Sequence, residues 1–265
     1  ALKYALDLAN QFNGTVSVLH VYNTRLIEAD LATDGYATYD TQRATVSPVQ
    51  NAQSLVEVKF GESMFKLQKT LQEDLKREIH FDYSLVQGAV PDKIMETAKA
   101  IDVDVILMSN KGEDDSLNFF GSNTTEVLRQ SDIPILLVPF EINFRTVSKV
   151  AYATNYRDTD GDAIEKLTTI FDQTDVKFYS LHVNPTSKLP KITEIHSTYT
   201  DLNLEFDVIN AENVLKGIHF FTDEHRIQIV AMNRKKRNMV TQLFSPSITE
   251  KMVADSFFPL LVINT

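Results

Sequence analysis

The chain has 265 residues, 43% of them hydrophobic, which is enough for about two average domains, each with its own core. Its formal net charge is −10, which argues against general nucleic-acid or anionic-membrane binding. The absence of cysteine excludes disulfides, thiolate metal sites and a cysteine nucleophile and fits a reducing cytoplasm, and no stretch approaches the roughly 18 unbroken apolar residues that mark a membrane span.

Ala1-Leu-Lys-Tyr-Ala-Leu-Asp-Leu-Ala-Asn-Gln-Phe carries apolar residues at helical spacing and predicts a helix at 2–12, so the sequence opens inside a helix. A strand at 15–22 and a long connection from Asn23 to about Val49 follow, and a connection of that length is usually functional. A long amphipathic helix then ends near Glu78, with Gly61 weakening its start, since glycine costs a helix about 1 kcal/mol relative to alanine. Strand 80–87, helix 91–101, strand 104–109, a loop, helix 123–131 and strand 134–140 come next. Asn123-Thr-Thr-Glu126 reads as a capping box at the start of that last helix. Beyond a junction at about 141–148 the pattern is strand 149–155, helix 161–173, strand 175–183, a helix near 190–199 and strand 203–209. Helix 212–225, strand 227–233, helix 248–256, opened by Ser247-Ile-Thr-Glu250, and strand 259–264 complete it.

The order repeats. Gly88-Ala-Val-Pro-Asp-Lys-Ile, Asp104-Val-Ile-Leu-Met-Ser-Asn and Pro134-Ile-Leu-Leu-Val-Pro are answered by Glu212-Asn-Val-Leu, Ile227-Gln-Ile-Val-Ala-Met-Asn and Pro259-Leu-Leu-Val-Ile. Leu19-His20-Val21 and Leu181-His182-Val183 also recur in matching places. A repeat of this length implies two copies of one domain, at 1–141 and 142–265. Strands alternating with helices imply an α/β fold in which each copy is a parallel sheet with helices on both faces. The second copy has a strand, Val150-Ala-Tyr-Ala-Thr-Asn155, before its first helix; its counterpart in the first copy is expected to be absent from this sequence. Strands 134–140 and 259–264 each end a copy and would be open sheet edges.

Ligands of such sheets sit beyond the carboxyl ends of the strands. There the first copy has Met108-Ser109-Asn-Lys111-Gly112, eight residues, then Gly121-Ser122-Asn123 opening a helix. A helix start presents free N–H groups and a partial positive charge to a phosphate. Gly121 would admit close approach, Ser122 a hydroxyl and Lys111 a charge; the competing reading is a glycine-rich turn with an ordinary cap. Arg234-Lys-Lys-Arg237 reads as an anion-binding run or a solvated loop. Asp158-Thr-Asp160-Gly-Asp162 fails the EF-hand spacing and reads as an acid-rich helix start. His20 and His182 read as packing residues on buried strands. With no nucleophile elbow, P-loop or His-Glu-x-x-His pattern, nothing specifies an enzyme.

Val103 through Gly112, followed by Gly121-Ser122-Asn-Thr-Thr-Glu-Val-Leu-Arg-Gln-Ser-Asp-Ile-Pro134-Ile-Leu-Leu-Val, resembles the universal stress protein family, as do Gly88-x-x-x-Asp92-x-Ile and Leu19-His-Val. The resemblance covers nearly the whole chain as two tandem family domains. It implies two tandem adenine-nucleotide alpha-hydrolase-like (Rossmann-like) domains, each built on a five-stranded parallel sheet. Nucleotide-binding members carry Gly-x-x-Gly, nine residues, then Gly-Ser/Thr. By that likeness Ser109, Lys111, Gly112, Gly121, Ser122 and Asn123 would contact the phosphates and ribose of ATP or AMP, with Val21 near the base. Here Ser109 stands at the first glycine and the second spacing is one residue short. In the second copy Asn233-Arg-Lys-Lys-Arg237 and Ser245-Pro246-Ser247 replace the loop, and proline has no N–H to offer, so this copy is expected not to bind. The family pairs its last strand between subunits, which implies a pseudo-dimer of the two copies within one chain, with a homodimer of chains by the same analogy. The function implied is a cytoplasmic stress-response or ligand-sensing module. The rivals are a nucleotide-independent scaffold for a protein partner and a slow nucleotide hydrolase.

Overall fold

The computed structural model describes residues 1–22, 48–75, 80–109, 122–140, 142–154, 160–171, 175–185, 204–234 and 258–265. Two compact units emerge, one of Ala1–Gly14 with Ile101–Thr265 and the other of Thr15–Ala100.

The Thr15–Ala100 unit holds β1 (Ser17–Tyr22), α2 (Pro48–Leu75), β2 (Asp82–Gln87) and α3 (Val90–Ala100). The strands pair in parallel from Ser17↔Asp82 to Tyr22↔Gln87, a pairing that needs a crossover, and α2 lies in it. Helix α2 runs through Gly61 without a break. His20 is exposed and stacks on Phe60 at 5.2 Å, so the buried-strand reading of that residue is corrected. The reason is that β1 has only β2 as a paired neighbour among the described strands and is mostly half-exposed.

The other unit holds α1 (Leu2–Gln11), β3 (Ile106–Ser109), α4 (Ser122–Gln130), β4 (Ile135–Val138), β5 (Lys149–Ala153), α5 (Asp160–Ile170), β6 (Lys177–Asn184), β7 (Leu204–Asn210), α6 (Val214–His225), β8 (Ile229–Arg234) and β9 (Leu260–Asn264). Its sheet runs β3-β4-β9-β8-β5-β6-β7. All neighbours are parallel except β4 and β9, which run antiparallel with Leu136 opposite Leu261. The expected pairing of the two last strands is therefore present. Flanked by strands on both sides, β4 and β9 are buried along their whole length, as their unbroken apolar runs require.

The run β7-β6-β5-β8-β9 is a complete doubly wound order, with its first strand, β5, in the middle. In the first half β2-β1 and β3-β4 repeat the outer pairs, and no described strand corresponds to β5. Helix α4 starts one residue before the expected capping box, so Asn123 lies inside the helix, and the Glu126 carboxylate accepts from Arg129 and Gln130. The helices expected near 190–199 and at 248–256, with Ser247-Ile-Thr-Glu250, lie outside the described residues.

The core gathers Val150 and Tyr152 of β5, Ile164 and Leu167 of α5, Phe171 and Phe178. Helix α1 closes one side of it. Tyr4 packs edge-on against Phe144 at 5.2 Å and Phe12 against Phe171 at 5.1 Å. Burial pushes the Tyr4 hydroxyl well above the usual phenol range. The Gln11 amide then clasps buried Val147, donating to its carbonyl at 2.6 Å and accepting from its N–H at 2.8 Å. On the other face α6 approaches β6 through Gly217, where a Cβ would stand 2.4 Å from a Val183 methyl.

Candidate functional site

The sheet order reverses beside β5, between its carboxyl end and that of β8, and this is where a ligand of such a sheet sits. Tyr152 and Thr154 are two residues apart and so share one face, the face that α5 covers. Asp160 opens α5 and is only 8% exposed. Its Oδ1 accepts from the Tyr152 hydroxyl at 2.8 Å, and its Oδ2 accepts from the Thr154 hydroxyl. A buried carboxylate needs such donors, and the first turn of a helix adds a favourable partial charge. The Thr154 carbonyl lies 2.9 Å from Nδ1 of His182 on β6. A carbonyl can only accept, so Nδ1 carries the proton there.

The neighbouring strand ends are also answered from within the chain. Asn184 donates to Asn210 at 3.2 Å, and Thr265 donates to Asn233 at 3.0 Å. Asp160 and Asp162 make the acid-rich helix start that the sequence indicates. The burial of Asp160 was not foreseen. The signal lay in Tyr152 and Thr154, two hydroxyls on one face of the strand just before it.

In the first half the carboxyl end of β3 is Ser109, opposite Val138 of β4. Its Oγ is buried and makes no hydrogen bond among the described residues. Ser122 and Asn123 are the first residues of α4, both exposed, in the same unit as Ser109. Lys111, Gly112 and Gly121 lie outside the described residues, as do Asn155, Ser245, Pro246 and Ser247. Val21 is half-buried on β1, opposite Val86, in the other unit. Arg234, first of the basic run, is no loop residue but the last residue of β8, half-buried; Lys235 to Arg237 lie outside the described residues. Among the described residues no helix is long and apolar enough to cross a membrane, and no His, Asp and Glu are grouped as metal ligands.

The parallel order, the helices around it and the polar carboxyl edge define a Rossmann-like α/β protein. The model of the Universal stress protein family matches residues 1–139, more than half of the chain, and the chain belongs to that family. No curated protein matches it. Among solved structures, a universal stress protein from Archaeoglobus fulgidus is similar at 15% identity and a TM-score of 0.71, over 99% of this chain and 92% of that one. A functionally unknown protein from Pseudomonas aeruginosa is similar at 13% identity and a TM-score of 0.52, over 96% of this chain and 94% of that one. At these identities the likeness speaks for the fold.

Proposed function

We propose that this universal stress protein is a stress-response module that senses an adenine nucleotide, ATP or AMP, through its first half alone. The observation that carries the reading is the Ser109 hydroxyl. It is buried at the carboxyl end of β3, ahead of the Ser122 helix start, and has no partner among the described residues. A buried polar group without a partner costs about 1–3 kcal/mol, a cost that a ligand oxygen would remove. The exposed start of α4, in the same unit, supplies free N–H groups and partial positive charge. In the second half the matching strand end, Asn233 of β8, is answered by the Thr265 hydroxyl at 3.0 Å.

Isothermal titration with ATP and AMP tests this on the wild type, Ser109→Ala and Ser122→Pro. Proline is tolerated at the first position of a helix, so Ser122→Pro should fold while losing an N–H and a hydroxyl. Saturable heat in the wild type that falls at least about tenfold in affinity in both variants supports the site, a loss of about 1.4 kcal/mol. Heat that survives Ser122→Pro sinks it, and no heat with either nucleotide would leave the nucleotide-independent scaffold standing.

A further inference from the structure

We propose that Arg234, Arg129 and Lys166 form a second ligand site, for a compact oxyanion such as a phosphate group, at the carboxyl end of β8 and β9. It lies apart from the nucleotide reading of Ser109 and Ser122 and does not rest on it.

The geometry converges on one residue, Asn264, next to last in the sequence. Arg234 is its register partner on β8, and the Arg234 carbonyl accepts from the Thr265 N–H at 3.4 Å. The Lys166 ammonium of α5 donates to the Asn264 carbonyl at 2.8 Å. The Asn264 side-chain amide donates to the Ser131 carbonyl at 2.7 Å, and Ser131 follows Arg129 and Gln130 at the end of α4. A strand and two helices that carry Arg234, Lys166 and Arg129 thus meet around Asn264, at the carboxyl end of β8 and β9, the edge where α/β proteins take their ligands.

The charges there are unequally answered. Glu126 grips Arg129 through both nitrogens that face it. Lys166 meets a carbonyl, which leaves its charge without a carboxylate at that contact. Arg234 is half-buried, and among the described residues no carboxylate pairs with it. The other acids on these elements are Asp132 after α4 and Asp162 and Glu165 on α5, all exposed, and the buried Asp160 at the start of α5, which accepts from Tyr152 and Thr154. A guanidinium withdrawn from water without a counter-charge is costly. Consistent with that, burial first and the Arg129 charge second hold Arg234 below its usual pKa. An oxyanion would reverse both effects. Guanidinium groups match phosphate oxygens in pairs, which favours a phosphate group over a monovalent halide.

The test is calorimetry with inorganic phosphate at constant ionic strength, made up with chloride, on wild type, Arg234→Gln, Arg129→Gln and the distant control Lys99→Gln. Saturable heat is expected for the wild type and the control, with affinity at least tenfold weaker in Arg234→Gln and weaker also in Arg129→Gln. Without phosphate, Arg234→Gln should be no less stable than wild type, because it removes an unanswered charge. Should it fail to fold, Arg129→Gln, exposed on its helix, decides the matter alone. No saturable heat in the wild type, or binding unchanged by both variants, overturns the proposal. Ser122→Pro separates the two readings: it should weaken ATP binding at least about tenfold and leave phosphate heat intact.

Discussion

The same substitution at two helical glycines should move stability in opposite directions. Gly217 sits inside α6, where its missing side chain lets the helix approach β6. A Cβ there would meet the two Val183 methyls at 2.4 and 2.9 Å and the Ala211 Cβ at 3.1 Å. Ordinary contact begins near 3.5 Å, so about 1 Å of clearance is missing. Val183 cannot supply it. It is β-branched and has stiff rotamers, it is 5% exposed, and β6 is held by β5 on one side and β7 on the other. The helix must retreat, and overpacking of that kind costs about 1–3 kcal/mol. Alanine returns about 1 kcal/mol of helix propensity, and with so close a clash we expect a net loss of about 2 kcal/mol. At Gly61 in α2 an added methyl would have no neighbour within 4 Å, so Gly61→Ala should gain about 1 kcal/mol. Urea unfolding followed by circular dichroism reads both. Adding Val183→Ala to Gly217→Ala should recover part of the loss, a coupling of about 0.5–3 kcal/mol. A Gly217→Ala protein as stable as wild type, or a double mutant with purely additive losses, would refute the close-approach argument.

Gln11→Ala removes both bonds to Val147, which is only 2% exposed, and should cost about 2 kcal/mol, with faster hydrogen exchange of the α1 amides as the specific sign. Glu126 is held down to about 2, by hydrogen bonds from Arg129 first and Gln130 second. A carboxylate depressed in the folded state contributes stability above its unfolded pKa, near 4.5, and loses it as pH falls towards about 2. Comparing acid unfolding of wild type and Glu126→Gln should therefore show a small difference at neutral pH that vanishes below about pH 2; a difference that grows on acidification contradicts the assignment.

Much of the architecture was legible because it rests on runs of apolar residues. Ile135-Leu-Leu-Val138 and Leu260-Leu-Val-Ile read as strands buried on both faces, and they are the strands that join across the antiparallel seam. Helix α1 was legible as a helix from its spacing, but an amphipathic stripe says that one face is covered, not by what. Its neighbours, Phe144 and Phe171, are more than a hundred residues away in sequence. Side-chain chemistry was harder. Asn123-Thr-Thr-Glu126 has the spacing of a cap, yet Arg129 and Gln130, three and four residues on, compete for the same carboxylate and take it. Arg234 stood in a run of like charges, and such runs usually lie in solvent. That its own position belongs to β8 depends on pairing with β9, a long-range fact that composition does not carry.

The starts of α5 and α4 differ in what a ligand would have to displace. For an anion to enter the second half beside β5 in the usual way, it would have to approach the start of α5. That helix end already faces Asp160 and Asp162, so its favourable partial charge is taken. Asp160 is moreover locked by Tyr152 and Thr154, and each hydrogen bond to a charged group is worth about 1.5–3 kcal/mol. An incoming phosphate would break those bonds and then meet the carboxylate they hold. At α4 the order of charges is the reverse. No acid stands in the first turn, Glu126 is spent on Arg129, and Ser109 keeps a hydroxyl unused among the described residues. On electrostatic grounds the start of α4 is therefore a better place for an anion than the start of α5. A Tyr152→Phe, Thr154→Val double variant sharpens the point. It should destabilise the fold by leaving Asp160 unanswered and still gain no affinity for ATP; a gain would show that the hydrogen bonds, and not the Asp160 charge, exclude the ligand.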